Sequence, residues 1–251
     1  MRHHPRPFKR STYARRLASA AATASTLGLG LALRLGLGLG LGLGLLATPA
    51  SAAETRAPAL PLAISASAAD AALQLFNRAA AGQDAVLDQA LLQWQALAAA
   101  DPGNPAPRAY LGALTSMQAR ATWLPWRKIS YADDGLALID KALAQLSPAH
   151  DRLQFIGVPI SLQLRWVAAS TFNSLPALFN RADRGARLMD ELLKSPLLAT
   201  APAGFKAGVW LRAGKDAAKA GRLEEARQWL GKAAASGAPQ AAEAQLRLKA
   251  I

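Results

Sequence analysis

The chain predicts an all-α fold built from antiparallel helix pairs, and three observations carry that prediction. From about Ala66 onward it is rich in Ala, Leu, Gln, Arg and Lys, residues that lose little on entering a helix. Strand signatures are scarce: β-branched residues are few, and no two-residue alternation persists. Stop and cap chemistry recurs along the chain. It falls at Gly82-Gln83-Asp84, Asp101-Pro102-Gly103-Asn104-Pro105, Ser147-Pro148, Ser195-Pro196, Gly221 and Gly237-Ala238-Pro239. The stretches between these points have helix length. In chain order they predict pairs at about 67–100, 105–148, 150–195 and 203–236, with a capping helix over 239–250 to cover the last apolar face.

Residues 1–52 read differently, as an export signal. A basic arm from Met1 to Arg16 leads into an alternating Leu-Gly tract from Gly36 to Leu46, and small residues follow. Ala50-Ser51-Ala52 is the small-x-small pattern that a signal peptidase accepts, so cleavage is expected after Ala52. The uninterrupted apolar run after Arg34 is about a dozen residues, against the roughly 20 that a spanning helix needs. Five of those residues are glycine, which disfavours a helix further. Arg15-Arg16 leaves the twin-arginine route open beside the general secretory one. A periplasmic protein without a membrane span in its mature form is the expectation, with a flexible leader over 53–66 and one helical domain over 67–251.

The same segment changes the charge argument. The whole chain has a formal net charge of +13 from 29 basic and 16 acidic residues. Residues 1–52 hold seven of the basic residues and none of the acidic ones, which leaves +6 for 53–251. More than half of the net basicity therefore belongs to the targeting arm, and a nucleic-acid partner is not expected. There is no cysteine, so disulfides, thiol catalysis, cysteine-ligated metals and a lipid-modified cysteine anchor are all excluded.

One pair carries a recognisable pattern. Trp210, Gly214, Gly221, Ala226, Leu230 and Ala233, followed by Pro239, place an aromatic residue, a close-approach glycine, a turn glycine and a small-large-small second helix in order. This resembles the tetratricopeptide repeat, in which Gly214 and Ala226 let two helices approach while Trp210 and Leu230 fill the space around them. Departures are Ala213 and Ala217, where the family prefers larger residues, and a proline one place late. Ala90, Trp94, Leu97 and Pro102, followed by Leu111-Gly112, form a second match. Ile139, Ala142 and Pro148 again resemble a second helix. The resemblance implies a right-handed α-solenoid of four degenerate pairs, the middle two lengthened by inserts at 122–128 and 171–181.

Catalytic chemistry is sparse. His150 is the only histidine of 53–251, and its place beside Pro148 and Asp151 suits a turn or cap. The adjacent pairs Asp133-Asp134, Asp190-Glu191 and Glu224-Glu225 point apart on a helix instead of converging as ligands do. No nucleophile elbow or phosphate loop occurs in 53–251. No catalytic residue, metal site or cofactor is predicted.

Two features point to binding instead. Trp123, Trp126 and Tyr131 with Arg127 and Lys128 put three aromatics and two cations into nine residues around Pro125. Core-plugging tryptophans and a groove reading an anionic or aromatic partner both fit that segment. The second feature follows from the resemblance. Family members bind extended peptides on the concave side, through positions that correspond here to Leu211, Lys215, Ala218 and Lys219 in the last pair. In the second pair they correspond to Ala109, Ala113, Ser116 and Met117. The expected function is a non-catalytic interaction or assembly module that takes a segment of another envelope protein in its concave groove. The alternative is a carrier of a small ligand or lipid, with an apolar pocket closed by the inserts near Trp123 and Thr171.

Overall fold

The computed structural model describes residues 65–251. The expected export signal, its cleavage after Ala52 and nearly all of the leader lie outside the described residues. Ten α-helices occur among them, and helix packs on helix throughout. They are α1 (Ala66–Ala80), α2 (Leu87–Ala100), α3 (Pro105–Ala121), α4 (Pro125–Ala144), α5 (Ile160–Phe172), α6 (Ala182–Lys194), α7 (Leu197–Thr200), α8 (Ala203–Lys219), α9 (Leu223–Ala234) and α10 (Ala241–Leu248). The closest-packed partners are sequence neighbours: α3 with α4, α8 with α9, α5 with α6 and α2 with α3. The described residues are all-α in class.

Local chemistry sets the boundaries. Ser65 opens α1 by accepting the Ala68 N–H at 3.2 Å, and Asn104 opens α3 by accepting that of Ala106 at 3.1 Å. Pro105 and Pro125 stand in the first turns of α3 and α4, where their missing N–H groups cost nothing. Gly221 turns α8 into α9 with φ of +75°, a conformation that an L side chain resists.

The third pair departs from the sequence expectation. Helix α4 ends at Ala144, and α5 starts only at Ile160. Between them lie a 3-10 turn (Pro148–Asp151) and a small hairpin, β1 (Gln154–Phe155) with β2 (Val158–Pro159), in antiparallel register. Ile156 and Gly157 form its tip, both with positive φ. Tertiary packing accounts for the hairpin. Phe155 is buried, edge-on to Trp94 with ring centroids 6.1 Å apart.

Three apolar clusters run along the molecule, in α1–α3 with α5, in α4–α8, and in α8–α10. Trp94 anchors the first. Its indole stacks on Tyr110 at 4.1 Å between centroids and donates to the Ala72 carbonyl at 3.0 Å. Burial raises the pKa of the Tyr110 hydroxyl above its ordinary value. Two sites of close helix approach stand out. A Cβ on Gly112 would lie 2.6 Å from the Gly135 carbonyl oxygen, so α3 and α4 touch backbone to backbone. A Cβ on Gly214 would instead meet the Leu230 side chain at 2.6 Å.

Candidate binding groove

The first helices of the four pairs, α1, α3, α5 and α8, all contribute to one cavity. Its volume is about 780 Å³, within the range of roughly 300–1,000 Å³ usual for small-ligand sites. Helical spacing explains how each wall forms. Phe76 and Ala80 lie one turn apart on α1, as do Ala113 and Met117 on α3 and Trp166 and Ser170 on α5. The rest of the wall comes from the start of α4, through Pro125, Lys128, Ile129 and Ala132, and from the end of α5 and the connection after it, through Thr171, Leu175 and Phe179. Most of the expected first insert is thus the opening turn of α4. The wall is mainly apolar. Phe76 belongs to the aromatic core, edge-on to Tyr110 at 4.7 Å, so one wall rests on well-packed side chains.

The charged side chains that line this cavity have one sign. Arg120, Lys128 and Arg212 line it, and no carboxylate does. Two of these cations have structural partners. Arg120 donates to the Ala79 carbonyl at 2.8 Å and pairs with Asp84 at 3.3 Å, which ties α3 to the end of α1. Arg212 pairs with Asp216 at 3.0 Å and donates to Ser174 Oγ at 3.2 Å, while Asn173 donates to Asp216 at 2.9 Å. The second insert is thereby held on α8. Lys128 has no ion-pair partner among the described residues. Ser170 Oγ is buried at the cavity wall and has no hydrogen-bond partner among the described residues.

The binding residues expected from sequence fall in three different settings. Lys128 lines the cavity. Trp123, Trp126 and Arg127 do not; they are exposed, the tryptophans at 83% and 66%. Two of the residues of the last pair, Leu211 and Lys215, face α10. Leu211 is buried with Leu230, Ala233 and Ala244, and Lys215 pairs with Glu243 of α10 at 3.0 Å. The Lys215 ammonium, as hydrogen-bond donor, holds the Glu243 carboxyl below its ordinary pKa. Lys219 is exposed at the end of α8. Among the residues expected to shape the repeats, Trp94, Ala226, Leu230 and Ala233 are buried, Gly112 and Gly214 mark close approaches, Gly221 makes the turn and Trp210 is half-buried in the last cluster.

Phe76, Arg120, Trp166 and Arg212 were not singled out from sequence. The available signal was the second-pair set Ala113, Ser116 and Met117, all of which line the cavity. Continuing that α3 face by one turn reaches Arg120. Nothing local to Phe76, Trp166 or Arg212 indicates that three other helices converge on the same space.

His150 is buried, and its Nδ1 accepts the Ser147 N–H at 3.0 Å, closing the turn before the hairpin. Among the described residues, no three His, Asp or Glu side chains converge as metal ligands do. No helix there is long and apolar enough to cross a membrane. No protein-family model matches the chain, and neither the curated proteins nor the solved structures compared with it include a match. The tetratricopeptide resemblance therefore rests on the residues that carry it.

Proposed function

We propose that this chain is an exported, non-catalytic binding protein for a small anionic amphiphile. The apolar part of the ligand occupies the cavity, and its acidic end lies towards Lys128, since Arg120 and Arg212 are each offset by a carboxylate partner. One observation carries this reading: a mainly apolar cavity of about 780 Å³ has Lys128, a cation without an ion-pair partner among the described residues, on its wall, and no carboxylate lines it. Such a site stabilises an anion while removing apolar surface from water.

A second reading, docking of a partner segment, is favoured by a different observation. All four first helices line the groove together with the start of α4, and the tetratricopeptide resemblance associates a face made by first helices with extended peptides. The two readings separate in one titration. A long-chain carboxylate of laurate length is added to the purified protein, with the alcohol of equal length and an apolar peptide ending in a carboxylate as comparisons. The carboxylate should bind about tenfold more tightly than the alcohol, and Lys128→Glu should remove that preference. Met117→Trp, which fills the cavity, should weaken both. Binding of the peptide with no saturable binding of the carboxylate would favour the segment reading.

A further inference from the structure

The end of the molecule beside the cavity carries apolar side chains that neither the fold nor the cavity absorbs. Trp123 and Trp126 are 83% and 66% exposed, and Ile129 and Leu178 are 51% and 67% exposed. Pro125 starts α4, which sets Trp126 and Ile129 one turn apart on the same helix face. Ile129 on α4 and Leu178 in the α5–α6 connection line the same cavity and are more than half exposed, which puts them at its mouth. Single exposed leucines are ordinary, and Leu92 and Leu246 are examples elsewhere in the chain. Two exposed indoles with two further large apolar side chains form a patch of another kind.

Charge decides what the patch suits. Arg127 and Lys128 follow Trp126 directly, both exposed, and neither has an acidic partner among the described residues. Asp134, two turns along α4, accepts a hydrogen bond from Ser130 at 3.2 Å. An isologous dimer through this face would set these cations against their own copies.

We propose that this patch docks the protein on an anionic lipid bilayer. Indole rings settle at the boundary between headgroups and acyl chains, because one edge is polar and the body apolar. Ile129 and Leu178 add buried apolar area, and Arg127 and Lys128 meet the acidic headgroups. Docking brings the mouth of the cavity against the bilayer. The proposal stands whether the cavity takes an amphiphile or a peptide.

The test is co-sedimentation of the purified full chain with vesicles of phosphatidylglycerol and phosphatidylethanolamine, and with phosphatidylcholine vesicles as the uncharged comparison. The parent should bind the anionic vesicles preferentially, with its tryptophan emission shifted to the blue. Trp123→Ala with Trp126→Ala should weaken partitioning by about tenfold. Arg127→Gln, which removes a cation outside the cavity, should weaken it by about fivefold on anionic vesicles alone. These three side chains are exposed, so the variants should keep the parent's melting temperature. Quenching of the parent's tryptophans by brominated lipids gives a readout independent of any variant. Equal binding by parent and variants would assign the affinity to other residues, those of 1–64 included, and overturn the proposal. So would absence of both binding and quenching, or a dimer in vesicle-free sedimentation that the tryptophan variant abolishes.

Discussion

The α3–α4 and α8–α9 pairs share a local plan but differ in what surrounds them. Each first helix carries a close-approach glycine, Gly112 or Gly214, and each has an inner face that the tetratricopeptide resemblance marks for binding. In α3 that glycine meets the backbone of Gly135, and the inner face opens on the cavity through Ala113, Ser116 and Met117. In α8 the glycine meets the side chain of Leu230, and the inner face is taken up by α10 through Leu211 and the Lys215–Glu243 pair. The lesson is that a local pattern of small and large residues specifies how two helices pack. Whether their exposed face is available for a ligand depends on which further helix packs against it.

The backbone contact is the sharpest point of the contrast. Gly112→Ala or Gly135→Ala must push α3 and α4 apart, because a carbonyl oxygen cannot rotate away. Each should cost about 3 kcal/mol in chemical denaturation. A loss below about 1 kcal/mol would mean that the helices are not in backbone contact. Gly214→Ala should cost less, about 1–2 kcal/mol, since its two tightest contacts are with the buried Leu230 side chain, which can change rotamer, and the Leu230 backbone nitrogen stands further off at 3.2 Å. Equal losses at the two sites would erase the distinction between them.

The covered face of α8 can be examined through pH. Glu243 has its pKa lowered in the folded chain, so its contribution is present above the ordinary glutamate range and lost as pH falls through the depressed value. The parent should therefore be more stable than Glu243→Gln at neutral pH, by less than about 1 kcal/mol for so exposed a pair. The difference should vanish in acid. A pH-independent difference would show that the Lys215 contact does not hold α10. The smallest expected effect has the opposite sign. Gly231 lies inside α9 with open space where a Cβ would stand, so Gly231→Ala should stabilise the pair by up to about 1 kcal/mol.

Much of this architecture was legible because its determinants are local. Asn104-Pro105 and Gly221 act within a turn of their own positions, and the capping of the last pair follows from the apolar face it leaves. The hairpin at 154–159 was not legible. Its four paired residues are too few for an alternating pattern, and Phe155 is placed by Trp94, which is distant in sequence. Gly135 was also missed. A mid-helix glycine reads as a weak position until its neighbour is known to be Gly112.

The candidate site divides in the same way. Lys128, Ala113, Ser116 and Met117 could be named from insert position and repeat position. Phe76, Trp166 and Arg212 could not, because each acquires its place at the cavity from helices far away in the chain. Composition and punctuation were enough for the helical class, since propensity and capping act over a few residues. The cavity, its single sign of charge and the exposure of Trp123 and Trp126 arise from long-range packing, where distant side chains compete for the same space. No local pattern encodes the outcome of that competition.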